Sequence, residues 1–283
     1  MKIIPVASES LGVRSMATVV ITKDLSIFID PGVALSPSRF NLPPHPLEVK
    51  RKEEKWQEII NWVKICEVII VTHYHYDHHN PESPEIYQNK VCFLKDPQGN
   101  INESQRRRAA HFLGRIENFV ARWEIADGRE FFRKGVRIKF SPPVFHGKAE
   151  YLGFVVEVLI DDGEKFLFTS DVQGPLREEA VSFILENKPD IILADGPMTY
   201  LLNYRYSLED LNQALENIRR ILRENSKAIF ILDHHLTRDE NYKSYLPQEF
   251  LGKRIFSAAE YLGQNDDLLE AKRRDLYQRA SKR

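Results

Sequence analysis

One stretch constrains this chain more than any other. Four apolar residues, Val68-Ile-Ile-Val71, lead directly into Thr72-His73-Tyr-His75-Tyr-Asp77-His78-His79. A short, β-branched, uninterrupted apolar run reads as a strand buried on both faces. The end of that run is unusual, because imidazoles and a carboxylate crowd a segment that is otherwise oily. Such groups are costly to bury unless something binds them. In an extended segment residues two apart project the same way, so His73 and His75 can grip one cation. A turn after Tyr76 then carries Asp77 and His78 toward a second position, which points to a two-metal site.

Other acidic and histidine residues stand where further strands are expected to end. They are Asp30 after Ser-Ile-Phe-Ile, His146 in Pro-Pro-Val-Phe-His-Gly, Asp171 after Lys-Phe-Leu-Phe-Thr-Ser, and the pair His234-His235 after Ala-Ile-Phe-Ile-Leu-Asp. Strand ends on one side of a sheet gather distant residues into one cleft. His79 is expected beside the site rather than as a ligand, and His45 in an ordinary loop.

The pattern along the chain predicts strands at 3–6, 17–22 and 25–30, then a proline-rich loop and a charged helix over 48–64. Beyond the motif, a helix is expected at about 104–120, with 97–134 the least patterned part. Strands are expected at 136–140, 151–160, 165–169, 191–194 and 227–232, with helices at 176–186 and 208–224. The segment beyond Pro247 reads as helical. Meandering strands come first and alternating strands and helices later, which suits two packed sheets with helices outside, in one domain over 1–283.

Composition removes several alternatives. With 40 basic against 41 acidic residues there is no field to draw in nucleic acid or an anionic membrane. Both cysteines, Cys66 and Cys92, sit in or beside apolar runs and read as buried thiols in a reducing cytosol. The N-terminal apolar stretch is too short for a secretory signal, and no uncharged run approaches a membrane span. A cytoplasmic, soluble protein is expected, with self-association left open.

Taken together, the motif and the order of the later strand-end residues resemble the metallo-β-lactamase-fold superfamily, closest to an uncharacterised archaeal branch of it. The resemblance runs from Ser10 to the 234–235 pair, and it implies an α/β, four-layer αββα sandwich. It also implies that His73, His75 and His146 hold a first metal, and that Asp77, His78 and one of the two final histidines hold a second. Asp171 would bridge them, and Asp30 would orient the metal loop from behind. Aligning Leu232-Asp233-His234 with Val71-Thr72-His73 favours His234 over His235. Two divalent ions, zinc first with manganese or iron as alternatives, would sit ~3.5–4 Å apart and activate a shared water for attack on an ester.

The departures from known subgroups are informative. The interval between Asp171 and His234 has no room for the inserted domain of RNA-cleaving β-CASP enzymes, and no long Gly/Pro-rich arm like that of tRNA-processing endonucleases is present. His75 stands where flavodiiron oxidoreductases have Glu. A small ester or phosphoester substrate is therefore expected, with a nucleic-acid fragment not favoured by charge. A metal-containing binding or sensing module and a di-iron redox protein are the alternatives. Arg14, Arg108, Lys148 and Tyr200 are candidate substrate contacts. Asp195 or Tyr200 is a candidate proton donor, although Asp195 suits a helix cap or a packing role equally well.

Overall fold

A computed structural model describes residues 1–280 of the protein. Its first sheet runs in the order β1 (Lys2–Pro5), β2 (Thr18–Ile21), β3 (Ser26–Ile29), β4 (Val68–Val71), β5 (Val91–Leu94), β6 (Arg122–Ile125). The first three strands form an antiparallel meander, and β3 to β6 are parallel. The second sheet takes β7 (Glu130–Arg133), β8 (Val136–Phe140), β11 (Val158–Asp161), β12 (Lys165–Phe168), β13 (Ile191–Asp195), β14 (Ile229–Asp233) and β15 (Ile255–Phe256). There β12 to β15 are parallel and the rest antiparallel. A two-stranded ribbon, β9 (Val144–Phe145) with β10 (Phe154–Val155), stands apart from both.

The layering follows from the two-residue period of strands. On β4, Val68 and Ile70 enter a core shared with Phe166 and Phe168 of β12, so this core lies between the sheets. Ile69 and Val71 point the other way, toward Ile59 and Val63 of α1 (Pro46–Ile65) and Phe112 and Ile116 of α2 (Glu103–Ile116). In the second sheet Leu167, Ile192 and Leu232 face outward onto Val181 of α3 (Glu178–Asn187) and Ile218 and Leu222 of α4 (Leu208–Glu224). Three cores separate four layers, αββα. Strands buried on both faces need no polar alternation, and this is why the central ones read as unbroken apolar runs.

Most expected elements appear within a few residues of their predicted bounds. His45 is more than loop: its Nδ1 accepts from Leu47 N–H while Glu48 reaches back to the His45 N–H, forming a capping box at the start of α1. The expected strand at 151–160 is broken. Gly153 takes φ +95°, and only β10 and β11 are extended. Strands β5, β6 and β7 were not expected; β6 and β7 carry mixed, partly exposed side chains, so their pattern is weak.

The segment over residues 248–280 is mostly irregular rather than helical, with short helices α5 (Ala258–Tyr261) and α6 (Arg273–Ala280); the last three residues of the expected helical stretch lie outside the described residues. Its side chains act as a strap instead. Arg273 is fully buried, pairs with Glu48 at 2.8 Å and donates to the carbonyls of Ser36 and Leu42. Among the described residues no helix is long and apolar enough to cross a membrane.

Candidate metal centre

The site lies at the carboxyl ends of parallel strands from both sheets, where α/β proteins place their ligands. Asp30 follows β3, Thr72 and His73 follow β4, Ser170 and Asp171 follow β12, Asp195 ends β13, and His234 follows β14. Asp30, Ser170 and His234 have φ of 52°, 61° and 57°, the left-handed region that non-glycine residues rarely occupy. The reversal turns each side chain inward at the level where its strand stops. Gly32 matters for a related reason: a Cβ there would lie 2.3 Å from the His79 backbone nitrogen, so only glycine lets this loop pack on the motif turn.

The side chains converge on one carboxylate oxygen. Asp171 Oδ2 lies 2.8 Å from His146 Nε2, 3.5 Å from His234 Nε2, 3.8 Å from both His73 Nε2 and His75 Nδ1, and 4.0 Å from His78 Nε2. Asp77 Oδ2 stands 4.0 Å from His234 Nε2. Four groups, His73-His75-His146-Asp171, Asp30-His73-His78, Asp77-His78-His234 and Asp171-His234-His235, each have their ligand atoms within 4.8 Å of one another. The residues suit cations. His73 Nε2, His78 Nε2, His146 Nδ1 and Asp171 Oδ1 are all buried without a hydrogen-bond partner, an expensive arrangement that bound metal relieves. No thiolate belongs to the set. Cys66 and Cys92 lie in the core between the first sheet and its helices, and burial pushes both thiols up to about 12.

Behind the cluster, a further ring of groups holds the imidazoles by their outward nitrogens. His78 Nδ1 donates to Asp30 Oδ2 at 2.8 Å, and the same carboxylate accepts from the Thr72 N–H and hydroxyl at 2.7 and 2.6 Å. His73 Nδ1 lies 3.3 Å from the Ser170 hydroxyl. His234 Nδ1 donates to Glu9 Oε2 at 3.0 Å, and His235 Nδ1 to Asp195 Oδ2 at 2.9 Å. Asp195 also accepts the N–H groups of His235 and Gln173, so it sits beneath the His235 ring, fully buried, rather than in the cleft as a proton donor. His79 is buried beside the site, its Nδ1 bonded to the His75 carbonyl, and burial lowers it to about 3.

Charge follows this wiring. Burial alone would raise the Asp171 and Asp77 carboxyls, yet the surrounding imidazoles, His146 and His235 for the first and His78 and His234 for the second, hold both well below the usual range. Burial lowers His73 and His75, and the neighbouring imidazoles push the same way. Burial is the largest influence on His78 and His234 and would lower both, but the Asp30 and Asp77 carboxylates together for the first, and Glu9 and Asp171 for the second, leave both raised. Glu9, despite burial, is brought down to about 2 by His234 and Arg238.

A cavity of about 460 Å³ opens over the cluster, and Arg14, Arg108 and Arg238 line it together with His75, Asp77 and Asp171. Arg14 is clamped by Glu270 through two 2.6 Å hydrogen bonds. Arg238 is buried, with Nε and Nη2 both on Glu9 Oε1. Arg108 stands over the Tyr76 ring, 5.2 Å from its centroid, with no carboxylate partner among the described residues. Lys148 and Tyr200 border an adjoining cavity instead. Glu9, Arg238 and Glu270 are the residues that sequence reading missed. The i,i+4 spacing of His234 and Arg238 was the one local hint, and Glu9 lies more than two hundred residues away.

The layer order, the sheet topology and this cluster at the strand ends define a metallo-β-lactamase-type fold. The chain itself belongs to the UPF0282 family. It is 48% identical to a UPF0282 protein of Korarchaeum cryptofilum, covering 98% of this chain and 95% of that one, and 44% identical to one of Sulfurisphaera tokodaii, covering 100% and 94%. No family model matches it. Among solved structures it resembles a possible metal-dependent hydrolase from Veillonella parvula (TM-score 0.59, 12% identity) and an isothiocyanate hydrolase from Delia radicum gut bacteria (TM-score 0.56, 16% identity). Each match covers 87% of this chain and 94% of the other. At such identities the likeness speaks to fold alone.

Proposed function

We propose that this protein is a metal-dependent hydrolase of ester-type substrates, phosphoesters or lactones, working with two divalent ions. The observation that carries the reading is the single oxygen of Asp171 with imidazole nitrogens of five histidines within 4.0 Å of it. In this reading His73, His75 and His146 hold one ion, Asp77, His78 and His234 hold the other, and Asp171 is shared. His234 is preferred to His235 because Glu9 occupies its Nδ1 and leaves Nε2 turned toward Asp77 and Asp171. His235, which borders the cavity, turns its Nδ1 to both Asp195, at 2.9 Å, and Asp171 Oδ1, at 3.2 Å, so the nitrogen nearest the centre is already engaged.

Bound ions supply Lewis acidity and an acidified water near neutral pH. The protein's own part is to fix the geometry. Asp30, Ser170 and Glu9 lock the imidazole rings, and burial of Asp171 keeps bulk water from competing for it. Arg108 offers a guanidinium at the cavity wall for an anionic group on the substrate. The nitrogen and carboxylate donor set without thiolate suits zinc first, and manganese or iron as well.

The test is to strip the protein with a chelator, reload it with zinc, manganese or iron, and measure bound metal beside hydrolysis of a phosphodiester, a phosphomonoester and a lactone. Two ions per chain, with turnover of at least one ester that disappears in His75→Ala and Asp77→Ala, is the expected result. Two bound ions without turnover on any ester would remove the hydrolase assignment, and failure to bind metal would remove the centre itself.

A further inference from the structure

The cleft continues past His235. That ring also lines a second cavity of about 550 Å³, so the two spaces adjoin across one side chain. Leu152, Met198 and Leu201 give the second cavity an apolar wall, Tyr151 and Tyr200 add aromatic faces, and Lys148 and Arg205 add positive charge. No acidic side chain lines it. Tyr151 is 74% exposed, an open ring with no core to serve.

The commitments of the cations distinguish this space from ordinary charged surface. Arg205 is exposed and stands over Tyr204, 5.3 Å from the ring centroid, with no carboxylate partner among the described residues. Lys148 meets Asp210 at 2.9 Å in an exposed pair, and such pairs exchange readily for a better partner. In the metal cavity two of the three guanidiniums are neutralised, by Glu270 and Glu9, which leaves Arg108 uncommitted. Each cavity thus keeps one guanidinium with no acid of its own, on either side of His235.

Gln173 borders the same space. Its backbone is left-handed at φ 57°, and its amide presses on Gly147, where a Cβ would come within 2.2 Å of Oε1. A largely buried amide held at this wall adds a hydrogen-bonding group that the fold itself does not use.

We propose that the second cavity is a subsite for an anionic group, phosphate or carboxylate, carried on an aromatic or apolar body that forms the non-reacting end of the substrate. The assignment rests on the hydrolase reading only in naming the occupant a substrate. A planar or apolar body matches Tyr151, Tyr200 and the Leu–Met wall. The anion matches a guanidinium that can engage two oxygens at once, with Lys148 as a point charge beside it. A cationic ligand would meet Arg205 and Lys148, with the nearby carboxylate of Asp210 already on Lys148.

The test uses the full-length protein freed of metal, titrated with phenyl phosphate, benzoate, phenol and inorganic phosphate by calorimetry or NMR. Wild type is compared with Arg205→Ala, Lys148→Ala and Arg108→Ala. Phenyl phosphate or benzoate should bind, and Arg205→Ala should weaken that binding about tenfold, the scale of one charge-assisted hydrogen bond. Arg205→Ala should weaken it more than Arg108→Ala does, and phenol should bind far more weakly than either anion. A preference for phenyl phosphate identifies the group as phosphate, and a preference for benzoate as carboxylate.

The proposal is overturned if no aryl anion binds, if Arg205→Ala binds as well as wild type, or if only Arg108→Ala weakens binding. The two readings fail separately. Aryl-anion binding through Arg205 in a protein that turns over no ester would leave the subsite standing without the hydrolase. Turnover whose KM for aryl anionic esters ignores Arg205→Ala would leave the hydrolase without the subsite.

Discussion

At the histidine centre the outward-facing nitrogens of His73, His78, His234 and His235 have fixed partners, whereas along the arginine wall of the same cavity the guanidiniums range from fully committed to uncommitted. His78 is locked by Asp30, His234 by Glu9 and His235 by Asp195, all among buried groups. Arg238 shares that rigidity through Glu9, Arg14 is half-way with Glu270, and Arg108 rests only on a tyrosine ring. The difference separates two jobs. Groups that must sit within a fraction of an ångström are wired to the strands, and groups that meet variable ligands are left adjustable.

Changes at the rigid side should have the largest effects. Asp171→Ala removes the oxygen on which five histidines converge; the expected outcome is loss of at least one bound ion, counted by elemental analysis, and of all turnover. Asp30→Ala strips partners from both His78 and Thr72 without removing a proposed ligand. It should lower metal affinity by about 10- to 100-fold in a chelator competition; an unchanged affinity would show that burial alone orients the loop.

Glu9→Gln tests the long-range wire, and the sign of its pH effect is fixed. The Glu9 carboxyl falls from 4.5 to about 2 on folding, so its stabilisation is present above pH 4.5 and is lost as pH drops toward 2. Metal-free wild type should lose stability across that window, and Glu9→Gln should be less stable at neutral pH with a flatter acid limb in chemical denaturation. On the adjustable side, Glu270→Gln frees Arg14 from a partly exposed pair. The expected loss is only about 1 kcal/mol of stability, accompanied by a change in KM rather than in metal content. A loss of metal there would erase the distinction between the two regions.

Much of this was legible in the chain, for identifiable reasons. Val68–Val71 and Phe166–Phe168 are buried on both faces and announce themselves as apolar runs, and Asp30, His146, Asp171 and His234 each end or follow one. The four-layer order follows from those strands. Local chemistry did not reveal Glu9, Arg238 and Glu270, because their partners are set by how distant loops cross. Nor did it reveal that Asp195 works beneath His235, since a strand-terminal carboxylate looks the same whether it faces the cleft or a neighbour's N–H groups. The segment after Pro247 misled because its charged stretch suits a solvated helix, while Arg273 spends that charge on Glu48 and two loop carbonyls.

The left-handed residues at three strand ends carry a consequence for how such proteins drift. Glycine at Asp30, Ser170 or His234 would relieve about 1 kcal/mol of backbone strain each. The same change would strip the buried Thr72 N–H and hydroxyl of Asp30, or the buried Glu9 Oε2 of His234, a larger cost than the strain it removes. A lineage that gave up the centre would therefore be expected to lose each of these residues together with its partner, a paired change that can be read from sequence alone.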